Sequence, residues 1–297
     1  MAVVDISNTY QLTNVGAHID NTDVYHSNRN LLDNWWFINP VNQLEVTNFI
    51  NGAHAIERWK AELSNGSITL TSAGLVFQGD AADLYQPMDP KLLSFLDGKT
   101  LTASILKSDG TIETGSKTFV NGQRTYFISN ATTGADIFIS QAGNFNLRYL
   151  NRTTAITVVA AKLELGSYST LANDTPPDFE AERRKCMAFC QLIQQRNSYT
   201  IDVGFGELLS GNCRIFVPTS VPMRYDNSKL TVAADGTAYM YLVADGSALP
   251  VTSVSAVGVT ANGVILNVST SGTLTASKIY ALRLTNNSAK LVFRSSF

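Results

Sequence analysis

The sequence predicts a mainly β protein, two β-sandwich domains joined by one amphipathic α-helix. Short runs of β-forming residues, many alternating apolar with polar, recur from Ser67 to Leu165 and again from Tyr199 to Ser296, with turn residues and no helical crossover between them. Of the 297 residues 44% are hydrophobic and only 15% charged, which suits packed cores and argues against wholesale disorder. A single stretch, Lys162–Ile193, joins a strand and a Pro-bearing turn to one clearly amphipathic helix that starts after Pro177.

Residues 1–28 hold no strand longer than the opening AVVDI and read either as a flexible terminus or as an attachment segment. The first sandwich is placed at 29–170. Its strands are Ser67–Thr71, Ala73–Gln78, Lys99–Lys107, Thr114–Val120, Arg124–Ser129, Ala135–Ser140, Asn144–Leu150 and Ala155–Leu165. Each is rich in β-branched, aromatic or aliphatic residues. Asp109-Gly110 marks a hairpin, because that pair accepts the positive φ values of a tight turn.

The connector is placed at 171–198. Pro176 and Pro177 block both sheet and helix, so a helix begins after them, with Asp178, Glu180 and Glu182 opposing the dipole at its start and Arg196 suiting its end. Cys186, Phe189, Cys190 and Ile193 fall at i, i+3, i+4 and i+7, one apolar stripe to pack on a sheet or on copies of itself. The second sandwich is placed at 199–297, with strands at Tyr199–Gly206, Asn212–Met223, Lys229–Ala234, Thr237–Ala244, Val251–Val259, Gly263–Thr270, Lys278–Thr285 and Ala289–Ser296. Asp235-Gly236 and Asn262-Gly263 are the expected hairpin turns.

Several strings resemble bacteriophage tail-fibre and related virion structural proteins. They are Asn30-Leu31-Leu32 with Asn34, Asn39-Pro40 with Asn42-Gln43, Glu57-Arg58-Trp59, Leu163-Glu164-Leu165-Gly166-Ser167, Glu182 with Cys190-Gln191, and Val221-Pro222-Met223-Arg224. The match departs from the family pattern at Leu192 and Ile193, where aromatics are usual. The resemblance runs from Asn30 through most of the chain, and the segment around Gly16-Ala17 resembles the lead-in of such fibres. It implies a jelly-roll-like, carbohydrate-binding-module-like fold for the first domain, with Trp59 as a buried anchor. It also implies a homotrimer, docking on another virion protein through residues 1–28, a location in the virion, and assembly in the host bacterial cytoplasm.

Formal net charge is -2 and the basic residues are scattered, so no nucleic-acid footprint is present. No run of about 18 apolar residues suggests a membrane span, and the start lacks a signal-peptide pattern, so cytoplasmic synthesis is expected. Cys186, Cys190 and Cys213 are an odd set without a fourth ligand close in sequence, which points to core residues rather than to a metal or disulfide scaffold. His18, His26 and His54 belong to no catalytic motif, and no cofactor is expected.

The residues left to bind a ligand are aromatic. A ring face stacks on a sugar while neighbouring Asn, Asp, Gln and Arg bond its hydroxyls, and Trp35, Trp36, Tyr85, Tyr126, Tyr239 and Tyr241 are the candidates. One of Trp35 and Trp36 should face outward if that stretch is extended, and Tyr239 and Tyr241 should share a strand face. The expected function is a non-enzymatic tail-fibre or baseplate-type subunit that binds host-surface glycans. The alternatives are a head fibre or capsid decoration protein, and a polysaccharide-degrading tail enzyme using carboxylates such as Glu57, Glu62, Asp80 or Asp83.

Overall fold

The computed structural model describes residues 28–129, 135–150, 152–195, 199–209, 211–224 and 230–295. The expected attachment segment therefore lies outside the described residues, apart from Asn28. Two five-stranded antiparallel sheets build the first half. One has the order β1-β4-β9-β8-β7, made by Lys60–Leu63, Ala82–Pro87, Asn144–Tyr149, Ala135–Ile139 and Thr125–Ile128. The other has the order β2-β3-β10-β5-β6, made by Gly66–Thr71, Gly74–Gly79, Arg152–Leu165, Thr100–Lys107 and Ile112–Thr118.

One core lies between these sheets, joining Leu84, Ile137 and Leu147 of the first to Phe77, Ile105 and Leu163 of the second. The Phe77 and Tyr149 rings meet across it at 5.0 Å. Trp59 is fully buried, as expected, with edge contacts to Phe37 and Phe145, and its indole N–H donates to the Asp33 and Asn34 carbonyls. The segment before it runs along β10, through Leu31 N–H to Leu163 O, Ala161 N–H to Trp35 O and Phe37 N–H to Val159 O. That alternation buries Trp35 and leaves Trp36 half-buried at the surface. A short helix α1, Pro90–Leu96, capped by Asp89 and started by Pro90, roofs one end with Leu93 and Leu96.

The connector corrects the expected helix. Asp178 caps α2 by accepting the Ala181 N–H, but α2 spans only Phe179–Met187. Cys190–Gln194 is a strand instead, β11, paired antiparallel to the last strand, Lys290–Ser295. Local periodicity cannot report a partner about a hundred residues away, and the ladder outweighs weak helix propensity. The stripe of Cys186, Phe189, Cys190 and Ile193 is thus divided between α2, its end and β11, and forms no oligomer seam on a helix.

The second half is not a sandwich. Ile201–Leu209 (β12), Asn212–Pro218 (β13), Leu230–Asp235 (β14), Met240–Ala244 (β15), Ser247–Thr260 (β16), Gly263–Thr270 (β17), Ile279–Leu284 (β18) and Lys290–Ser295 (β19) follow β11. Six of them close a barrel in the order β12-β13-β17-β16-β15-β18, completed by the β12–β18 pair. The remaining β11, β19 and β14 form a three-stranded sheet. Strand count alone does not say whether two edges meet. Here bulges in β12 and β16 and the close approach at Gly204 and Gly206 let the sheet coil on itself. A second core, with Ile215, Leu266, Leu282 and Phe293, fills this half.

The hairpin at Asp109-Gly110 forms as expected, whereas the β16–β17 hairpin turns one residue earlier than expected, on Ala261-Asn262, with Gly263 already in β17 and paired with Thr260. Asp235-Gly236 turns the chain, with Gly236 at φ 66°, but β14 pairs with β19 and β15 with β16 and β18, so that turn leads from the sheet into the barrel. Among the described residues no helix is long and apolar enough to cross a membrane.

Candidate functional site

In an antiparallel sheet, residues directly opposite one another project from the same face. The register of the first sheet therefore writes two polar and aromatic rows across its outer face. Lys60, Tyr85, Asn146, Phe138 and Tyr126 make one row over five strands. Glu62, Asp83, Arg148 and Asp136 make the adjacent row over four. The alternate positions, Leu84, Leu147 and Ile137, point into the core. Tyr85 and Tyr126, two expected ligand residues, thus stand on one row, three strand spacings or about 14 Å apart.

Between them the face is held in place by charge. Arg148 grips Asp83 with Nε at 2.8 Å from both carboxylate oxygens and a further nitrogen at 2.7 Å. Burial pushes the Asp83 carboxyl up despite this partner, while the hydrogen bond to Asp83 holds the Arg148 guanidinium above its ordinary range. The Arg148 and Arg124 guanidiniums each lie 5.2 Å from the Phe138 ring centre, and Tyr126 packs on the same ring at 5.1 Å. Asn146, Asp83, Asp136 and Phe138 are themselves buried, so what a polyhydroxylated ligand can reach here is the partly exposed Arg148 guanidinium between two half-buried tyrosines. Asn146, Arg148 and Phe138 were missed at the sequence level. They occupy the alternate positions of ADIFIS and NFNLRYL, a signal that becomes a site only when the register is known.

The other expected ligand residues lie elsewhere. Trp35 is core, and its ring meets that of Trp36 edge-on at 5.6 Å. Trp36 lines a cleft of about 250 Å³ with Pro176, Pro177 and Phe179. Its polar walls, Asn34 and Glu182, are spent on the fold: the Asn34 amide bonds Val41 and Glu57 backbone, and Glu182 accepts the Asn34 N–H and Lys185. Tyr239 and Tyr241 do not share a strand face, because Tyr239 closes the 3₁₀ turn Thr237–Tyr239 and Tyr241 lies within β15.

A second polar cluster occupies the junction of the two halves. His54, Glu57, Arg58, Lys60, Phe189, Cys190 and Arg294 surround a small cleft of about 30 Å³, room for one or two waters. Burial raises the Glu57 carboxyl to about 7, opposed by the Gln43 backbone N–H and Arg294. Burial, then Arg294, Lys60 and Arg58, lower His54 to about 4. Burial pushes the Cys190 and Cys213 thiols up to about 11 and raises Cys186 further, which makes all three poor nucleophiles. Among the carboxylates considered for hydrolysis, Asp83 is held by Arg148 and Asp80 is exposed at the β3–β4 turn. Glu57 is at the junction, away from the row that carries Glu62 and Asp83.

Compared with known proteins, the chain matches no protein-family model and no curated protein.

Proposed function

We propose that this chain is a non-enzymatic bacteriophage virion protein, a tail-fibre or baseplate-type subunit that binds host-surface glycan on the outer face of a jelly-roll-like sandwich. The observation that carries the reading is the row on which Tyr85 and Tyr126 flank Asn146 and Phe138, beside the Asp83–Arg148 pair. Aromatic ends supply stacking surface, and the partly exposed Arg148 guanidinium, held in place by Asp83, supplies fixed, directional hydrogen bonds. The resemblance of the sequence supplies the virion setting. Self-association into trimers belongs to the same proposal and requires a surface other than the divided α2 stripe; light scattering on the purified chain measures it.

The test of the glycan reading is calorimetric titration of the full chain with capsular, lipopolysaccharide and wall polysaccharides from a panel of bacteria. Tyr85→Ala and Tyr126→Ala should each weaken the bound polysaccharide about tenfold or more, equivalent to about 1.4 kcal/mol. Affinity unchanged in both variants, or no polysaccharide bound by the native chain, overturns the reading. Release of reducing ends during the same titration would instead favour the enzyme alternative.

A further inference from the structure

The C-terminal end of β10 carries two charged side chains where a core strand should be apolar. Lys162 and Glu164 are both fully buried. The Lys162 Nζ lies 2.9 Å and 2.7 Å from the two carboxylate oxygens of Asp174, whose side chain is only 6% exposed. Glu164 lies 3.6 Å from the same nitrogen. Thr170 links them: its hydroxyl accepts from Lys162 Nζ at 2.7 Å and donates to Glu164 at 2.6 Å, while its N–H donates to the other Glu164 oxygen at 2.8 Å.

We propose that Lys162 and Asp174 join in an intramolecular isopeptide bond. Dehydrating an ammonium carboxylate pair requires a neutral amine, a neutral carboxyl and a base beside them; a dry interior favours the first two over their charged forms, and Glu164 stands beside them as the base. Burial raises the Asp174 carboxyl above its ordinary range, in that direction. One ammonium proton passes from Lys162 to Asp174 across their hydrogen bond, leaving an amine and a carboxylic acid. The Nζ lone pair attacks Asp174 Cγ, forming the C–N bond. Glu164, through the Thr170 hydroxyl, removes a second proton from nitrogen and returns it to the departing hydroxyl. The C–O bond breaks, one water leaves, and Glu164 ends as it began. No oxidant or further reactant is needed.

The product closes a loop from β10 to the segment that leads into α2, fixing the strand end against the connector. It is independent of the glycan reading.

Intact-mass spectrometry of the purified full chain tests it. A mass lower than the encoded one by one water, with a branched proteolytic peptide joining the Lys162 and Asp174 fragments, is the expected result. Lys162→Arg should restore the encoded mass. A native chain at the encoded mass overturns the proposal, and so does a water loss that persists in Lys162→Arg, which would place the dehydration elsewhere.

Discussion

The Glu57 carboxylate accepts the backbone N–H of Gln43 at 2.7 Å, and the Gln43 side chain reaches from there to the second half of the molecule. Its amide donates to the Cys190 carbonyl at 2.9 Å and its oxygen accepts the Leu192 N–H at 3.3 Å. A carboxyl that titrates near neutrality therefore anchors the loop that holds β11.

This arrangement predicts two opposed pH dependences. Glu57 is raised from 4.5 to about 7. The folded chain keeps that proton longer than the unfolded chain does, so its contribution is full below pH about 4.5 and is lost as pH rises through 7. A shift of this size is worth on the order of 3 kcal/mol. His54, lowered from 6.5 to about 4, acts the other way: its contribution is full above pH about 6.5 and is lost as pH falls through 4. Between about pH 4.5 and 6.5 the two slopes largely cancel. Urea midpoints measured across that range should rise with pH in Glu57→Gln and fall with pH in His54→Gln. Profiles parallel to the native one in both variants would dismiss the compensation.

The aromatic clamp at the same junction gives a second prediction. The Phe189 ring lies 3.7 Å from the Arg58 guanidinium carbon and 5.3 Å from that of Arg224. Arg58 belongs to the sandwich and is also paired with Asp33, so Phe189 is the wedge by which the link from α2 to β11 grips the first half. Phe189→Ala should cost about 2 kcal/mol in lost burial and cation–π contact. Limited proteolysis should then cut near the α2–β11 link, and an unchanged cleavage pattern would argue that the clamp is dispensable.

Most of the sandwich was legible because its strands announce themselves one at a time. Runs such as AITVVAAKLEL and ADIFIS need only their own composition to be placed. Lys60–Leu63 and Ala82–Pro87 were not placed by pattern, since Lys60, Glu62, Asp83 and Tyr85 put polar groups and an aromatic on a face without a contrasting apolar run. Those same residues are four of the nine in the two rows of the candidate site. What escaped entirely was pairing at long range. CQLIQ continues a helical stripe by local count, and only β19 shows it to be a strand; likewise nothing in Ile201–Leu209 reveals that β18 will close the barrel. The distribution of ligand candidates follows from this. Tyr85 and Tyr126 could be named from composition, but their sharing a row is a property of register.

Trp59 tests the anchor at the centre of the first core. Its N–H satisfies the Asp33 and Asn34 carbonyls at 3.1 Å and 3.0 Å, and Asp33 also supports Arg58. Trp59→Phe keeps an aromatic ring but removes the donor and leaves a partial cavity. It should destabilise the chain by about 2–3 kcal/mol, read as a lower urea midpoint. A loss below about 1 kcal/mol would mean that water or a neighbour satisfies those carbonyls equally well.

The barrel offers the sharpest separation of space from backbone strain. A Cβ on Gly206 would sit 1.6 Å from the Arg214 carbonyl oxygen, whereas one on Gly110, at φ 84°, would meet nothing within 4 Å. Gly110→Ala should therefore cost only the left-handed backbone penalty, about 1 kcal/mol. Gly206→Ala must push β12 from β13 and open the barrel, at more than about 3 kcal/mol. Because Trp35, Trp36 and Trp59 all belong to the sandwich, tryptophan fluorescence reports on that half alone. The two cores share no residue, so Gly206→Ala should add an early transition in far-ultraviolet circular dichroism while the fluorescence midpoint stays in place. If both signals move together, the contacts of Gln43 and Phe189 bind the halves into one cooperative unit.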